Sequence, residues 1–264
     1  MIKRIRLATR KSGLGREEFA GRLRDAAMAA ALAPEPARPA RLTISVAVPE
    51  VDADQAYDGA ALEWFTDDDH LRRFEAWLST RDGQAVPRLL GAAADLQASP
   101  VVVSDERVVR GADWLETRWR QGGPKLKQLA IAKRADGLTL AQFLDLWRSR
   151  AGKLGAAPIP EEFRGLAYVQ NHPRPTAGTG GTGGRPPGEW PGGAPDTMAG
   201  LAIGRDPRDW DYDAVNEVYF DDVAGLVARI AYFARELTGT AESDLISENW
   251  FLAVRQEPVA PSAK

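Results

Sequence analysis

Lys127-Gln128-Leu129-Ala130-Ile131-Ala132-Lys133-Arg134-Ala135-Asp136-Gly137-Leu138 decides how this chain is read, because its pattern occurs earlier in the same chain. Ile5, Leu7, Arg10, Gly13, Leu14 and Phe19 recur as Leu129, Ile131, Arg134, Gly137, Leu138 and Phe143 at a constant offset of 124 residues. Lys3 and Lys127 match in the same frame. A second pair of segments follows: Tyr57-Asp58-Gly59-Ala60-Ala61-Leu62-Glu63-Trp64-Phe65 is answered by Tyr212-Asp213-Ala214-Val215-Asn216-Glu217-Val218-Tyr219-Phe220. Two copies are too few for a solenoid and suit a pseudo-dimer with one shared core.

Working outward, each copy opens with a strand ended by a Gly turn, residues 2–10 in the first. A helix follows. In copy one it starts near Gly15 with Glu18 at its third position. In copy two Thr139-Leu140-Ala141-Gln142 reads as a capping box, in which hydroxyl and amide satisfy each other's backbone N–H. Phe143, Leu146, Trp147 and Leu154 recur at helical spacing. Further strands are expected at Arg41–Val48 and Gly165–His172, then at the two Tyr-Asp segments. Helices over 68–78 and 222–237 have aspartates at their starts, where the helix dipole favours them. Last strands lie within Pro100–Arg110 and at Asn249–Arg255. The order β-α-β-β-α-β is the ferredoxin-like unit. The chain is therefore expected to be α+β, with two tandem ferredoxin-like repeats closing an intrachain α/β barrel. Repeat 1 spans 1–112, a linker 113–123, repeat 2 124–258 and a tail 259–264. Repeat 2 carries a Gly- and Pro-rich insertion over 174–209, either a floppy loop or an active-site lid.

The composition narrows the function classes. A net charge of −3 argues against a nucleic-acid or anionic-membrane partner, both of which select basic surfaces. The absence of cysteine removes disulfides, thiolate catalysis and Cys metal sites. No run is long enough to span a membrane, and the acidic residues before the Ala26–Ala33 stretch do not suit a signal peptide, so a cytoplasmic protein is expected. Glycine-rich phosphate loops, dinucleotide fingerprints and calcium loops are missing, and no metal is expected.

The candidate chemistry rests on strand alternation. In the third strand of copy two, Ala214, Asn216, Val218 and Phe220 share the more apolar face and are expected to meet the helices. That turns Val215, Glu217 and Tyr219 into the barrel. Tyr168, Gln170 and His172 share one face of the neighbouring strand, and if that face also points inward a polar group forms inside the barrel. An imidazole beside a carboxylate can move protons near neutral pH, and a tyrosine can hydrogen-bond a developing oxyanion. His172, Glu217, Tyr168 and Tyr219 are thus the catalytic candidates. Gln170, Val215, Trp64 and Leu62 are the candidates for lining the substrate site. The competing reading is a satisfied buried network that only orders the strands, with His172 at the rim. His70, after Asp67-Asp68-Asp69, reads as an exposed residue of a helix start.

Lys133-Arg134-Ala135-Asp136-Gly137-Leu138, Gln142-Phe143 with Trp147, Tyr168-Val169-Gln170-Asn171-His172-Pro173 and Tyr212–Phe220 together resemble the EthD family of the dimeric α/β-barrel superfamily. Copy one carries a weaker version in Leu14–Phe19 and Tyr57-Asp58-Gly59. The resemblance implies two four-stranded antiparallel sheets that face each other, helices outside, and a barrel closed within one chain; a further homodimer stays open. Relatives include cyclases, decarboxylases, cofactor-free monooxygenases and haem-degrading enzymes, so the fold does not select the reaction. Many members carry a helix-1 histidine where this chain has Ala151, and Ala27 in copy one. The Glu of the Tyr-Asp motif is Glu217 in copy two and Leu62 in copy one. The expected activity is a cofactor-independent lyase, cyclase or decarboxylase acting on an apolar aromatic or polyketide-like molecule. The alternatives are an oxidoreductase, either a cofactor-free monooxygenase or a haem-handling enzyme with His172 as ligand, and a non-enzymatic small-molecule-binding barrel.

Overall fold

The computed structural model describes residues 1–51, 55, 57–154, 157–174, 212–236 and 244–259. Eight antiparallel strands form a closed barrel: β1 (Ile2–Ala8), β2 (Arg41–Ala47), β3 (Gly59–Phe65), β4 (Val101–Arg110), β5 (Lys125–Arg134), β8 (Ala167–Pro173), β9 (Ala214–Phe220) and β10 (Ile246–Pro258). Around it they run β1-β3-β2-β10-β5-β9-β8-β4, with β4 pairing back to β1. The first half contributes the sheet β4-β1-β3-β2 and the second the sheet β10-β5-β9-β8. The halves are joined by β2 on β10 and by β4 on β8. Closure leaves no barrel strand with an unpaired edge.

Register carries the sequence pattern into space. Lys3 stands opposite Trp64 and Lys127 opposite Tyr219, while Ile5 meets Leu62 and Leu129 meets Glu217. Arg10 binds Asp58 as Arg134 binds Asp213, each through its backbone N–H and its guanidinium. Tyr57 and Tyr212 touch through their hydroxyls at 2.7 Å.

Helices cover the outside: α1 (Arg16–Ala31), α2 (Asp68–Leu78) and α3 (Ala85–Ala93) on the first half, and α5 (Leu140–Ser149) and α6 (Val223–Glu236) on the second. The Thr139–Gln142 capping box starts α5. This helix stops at Ser149, because Gly152 adopts φ 78°; Leu154 therefore falls in a short hairpin, β6 (Lys153–Leu154) with β7 (Ala157–Pro158). A 3-10 turn at Glu161–Phe163 leads into β8.

Two sequence expectations change here. Residues 113–123 are not a plain linker: Ala112–Gln121 form a helix, α4, that crosses one end of the barrel. Gly111 makes this possible, since it takes φ 75° and an added Cβ would lie 2.3 Å from the Leu166 carbonyl oxygen. His70 is not exposed. It is buried at the start of α2, with Nε2 2.7 Å from the Arg38 carbonyl and its ring edge-on to Phe65. Of the segment 174–209 only Arg174 is among the described residues, so the lid reading falls outside them. Among the described residues no helix is long and apolar enough to cross a membrane.

Candidate active site

Strand alternation sends Lys3, Ile5 and Leu7 of β1 and Lys127, Leu129 and Ile131 of β5 into the barrel, where the aliphatic members join Leu62, Val215, Leu252 and Val254 in one core. At one end of this core the interior turns polar. Glu217 is fully buried and takes four donors: Lys3 on Oε1, Asn171 on Oε1 at 2.9 Å, Lys127 on Oε2 at 2.7 Å and Tyr219 on Oε2 at 2.8 Å. Lys3 also bridges to Glu106, which takes the Trp64 indole N–H at 2.7 Å. Both ammoniums lie over aromatic rings, Lys3 over Trp64 at 4.8 Å and Lys127 over Tyr219 at 5.6 Å.

Burial alone would raise the Glu217 pKa, but the charges and hydrogen bonds of Lys127 and Lys3 outweigh it and hold the carboxyl well below its ordinary range. Burial pushes the Lys127 ammonium down to about 8, against the pull of Glu217 and with the push of Lys3. Burial and the neighbouring Glu217 carboxylate raise the Tyr219 phenol well above 10. A carboxylate so committed stays ionised and cannot collect a proton near neutral pH.

The polar end opens into a cavity of about 660 Å³ under α4. Its walls include Arg41 and Leu42 of β2, Trp64, Glu106, Val169, Tyr219, and Leu115 and Trp119 of α4. Trp119 packs edge-on to Trp64 at 5.8 Å, and two cations stack on it, Arg41 at 4.2 Å and Lys125 at 4.1 Å. Neither cation has a carboxylate within ion-pair distance among the described residues; Lys125 donates only to the Gly123 carbonyl, at 3.2 Å. Burial, then Arg118 and Arg41, push Lys125 down to about 8. Glu106 is balanced by Lys3, and Glu116 lies 3.9 Å from Arg120, so Arg41 carries the excess charge among the lining residues, with Lys125 stacked on the same indole.

The sequence-derived site residues separate. Glu217, Tyr219, Val215, Trp64 and Leu62 face the barrel interior, and of these Trp64 and Tyr219 reach the cavity. Tyr168, Gln170 and His172 face outward, which corrects the expectation that they join Glu217 inside. The inward set on β8 is Ala167, Val169 and Asn171. Gln170 reaches the Trp147 carbonyl at 3.1 Å, and the Tyr168 hydroxyl takes Asn216 at 2.9 Å. His172 is half-buried beside Gln170 Oε1 at 3.1 Å, and burial, with Arg148 and Arg107, lowers its pKa. It lines neither this cavity nor the cleft between the second sheet and its helices. Among the described residues no group of three or more His, Asp or Glu side chains could hold a metal.

Alternation alone does not say which face is inside. On β9 the apolar content decided; on β8 the inward face stayed open in the sequence, because this barrel interior is itself partly polar. Lys3, Lys127, Asn171, Glu106, Arg41, Lys125 and Trp119 were missed. Lys3 and Lys127 were legible, since each shares its strand face with two aliphatic residues and they match in the repeat frame. Trp119 was hidden by reading its segment as linker.

No protein-family model matches the chain, and no curated protein matches its sequence. Among solved structures, the chain is similar to a candidate monooxygenase from Lactobacillus acidophilus NCFM, with 8% identity, TM-score 0.44 and coverage of 98% of this chain and 96% of that one. It is also similar to a candidate monooxygenase from Fusobacterium nucleatum subsp. nucleatum ATCC 25586, with 9% identity, TM-score 0.47 and coverage of 98% and 92%.

Proposed function

We propose that the barrel-mouth cavity binds a flat aromatic or enolisable small molecule as its oxyanion, and that the chain is an oxidoreductase which exposes this electron-rich anion to molecular oxygen without a resident cofactor. The observation that carries the reading is Arg41, which lines the cavity and stacks on Trp119 beside Lys125, with no carboxylate within ion-pair distance among the described residues. Cations in a partly desolvated pocket favour a bound phenolate or enolate over the neutral acid. Trp64 and Trp119 supply aromatic surface, and the cavity volume falls in the usual range for small-molecule sites, about 300–1,000 Å³. The proton-transfer alternative needs an acid and a base in reach of one substrate. His172 and Glu217 lie on opposite sides of the sheet, and Glu217 is locked ionised, so that pair supports no lyase or cyclase cycle. The matched offsets, registers and strand orders of the two halves further support an EthD-like tandem duplication as the origin of the barrel.

Oxygen consumption with naphthols and hydroxynaphthoates tests the reading. Turnover should consume oxygen, rise as the substrate hydroxyl ionises and fall at least about tenfold in Arg41→Gln, the usual effect of losing one charged hydrogen bond. Turnover that proceeds without oxygen, or that is indifferent to Arg41, would overturn it.

A further inference from the structure

Outside the barrel, between the second sheet and its helices, lies a second opening with about 90 Å³ of free space. Its floor is apolar, formed by Ala130, Ala132 and Val218, with Phe251 and Phe233 at its side. Its charges are one-sided. Arg110, Arg150, Lys153, Arg164 and Arg229 line it, and no Asp or Glu does among the described residues.

Three of these guanidiniums are held by neutral groups. Arg110 donates to the backbone carbonyls of Arg164 and, at 3.1 Å, Gly165. Arg164 donates to the Ile159 carbonyl at 2.5 Å. Arg229 reaches Gln128 Oε1 at 2.6 Å and the Phe163 carbonyl, and its guanidinium lies 4.4 Å from the Phe233 ring centre. None of the three has a carboxylate within ion-pair distance among the described residues; Arg150 alone does, in Asp244. Arg229 is 7% exposed. Burial, reinforced by the neighbouring Arg110, pushes its pKa down to about 10, with Tyr168 opposing. A buried cation with no counter-charge is costly and is matched by hydrogen bonding to an anion. A guanidinium presents paired donors that fit a carboxylate.

We propose that this cleft is a binding site for a small organic monoanion, a carboxylate with a compact apolar body, its charge held by Arg110, Arg164 and Arg229 and its body on Ala130, Ala132 and Val218. The site is separate from the barrel mouth: the two share no lining residue and lie on opposite faces of the sheet. Its free space is much smaller than that of the mouth and suits a single ring.

Calorimetric titration with benzoate, with benzyl alcohol as its neutral counterpart, tests this. Benzoate should bind at least about tenfold tighter than the alcohol, the scale of one charged hydrogen bond. Arg110→Gln and Arg229→Gln should each weaken benzoate by a similar factor. Ala130→Leu, which fills the floor and leaves every cation in place, keeps the test decisive if Arg229→Gln misfolds; it should abolish binding. Arg41→Gln, at the barrel mouth, should leave benzoate affinity unchanged. Equal affinity for acid and alcohol, absence of benzoate binding, or binding lost in Arg41→Gln and kept in Ala130→Leu would each overturn the proposal without bearing on oxygen consumption at the mouth.

Discussion

The two halves of the barrel carry helices on equivalent outer faces but fill the space differently. On the first, α1 runs 16 residues and packs Phe19, Leu23, Ala26, Ala27, Ala30 and Ala31 against Leu42, Ile44 and Phe65, with α2 and α3 closing one continuous core. On the second, α5 runs only 10 residues, and the apolar layer that it forms with α6 splits into separate groups around Phe143 with Trp147, Leu226 with Phe220, and Phe233 with Leu154. The cause is local. Where α1 continues through Ala-Ala-Met-Ala-Ala-Ala, all good helix formers, the chain after α5 reads Arg150-Ala151-Gly152, and Gly152 turns into the left-handed region. The missing helical turns leave the cleft open above Ala130, Ala132 and Val218. A filled layer stabilises the half; an unfilled one leaves room for a ligand.

The interior repeats the contrast, with Leu62 in one half where Glu217 stands in the other. Replacing Glu217 with Ala should give the largest effect, a loss of about 3–5 kcal/mol, because two buried ammoniums lose their shared counter-charge. Replacing Lys3, Lys127 and Glu217 together with Met, Met and Leu should cost clearly less than that single change, as measured by urea unfolding. A triple variant less stable than Glu217→Ala would mean that the network adds more than charge balance.

Truncating the packed layer should act on a similar scale. Phe74→Ala, at a fully buried position in the first-half core, should cost about 3–5 kcal/mol. Phe233→Ala, at the edge of the cleft, should cost less than half as much, since the space it leaves joins an existing opening. Equal losses would show that the two layers are equally tight.

Acid should act through the second half. The folded Glu217 carboxyl is held below its unfolded value of about 4.3, so its contribution is full above that pH and is lost as pH falls below it. The urea midpoint should drop between pH 5 and 3, with a shallower slope in Glu217→Gln. An unchanged slope would remove Glu217 from the linkage. The smallest effect is expected at the helix stop: Gly152→Ala should destabilise by about 1–2 kcal/mol, the cost of a left-handed Cβ. A stabilised Gly152→Ala would mean that α5 can extend and close the cleft, which a loss of benzoate binding would register.

Much of the architecture was legible because it depends on local periodicity and on recurrence. The Lys3–Phe19 pattern and its partner from Lys127 located both opening strands and helices, and the Thr139–Gln142 box marked a helix start to the residue. The inward face of β9 followed from the apolar content of its opposite face. The inward face of β8 did not, because period two defines two faces and only the barrel's closure decides which is enclosed. That choice placed Asn171 inside and Tyr168, Gln170 and His172 outside. Long-range pairing also lay beyond the sequence. Nothing local says that Lys3 will cross the barrel to Glu217, that Arg41 and Lys125 will share one indole, or that a segment read as linker will cap the mouth with Trp119. The chain by itself determined its strands, its helices and the chemistry available on each. The tertiary structure alone decided which charges found a partner and which were left facing open space, because electrostatic balance is settled between residues more than a hundred positions apart, as Lys3 and Glu217 are.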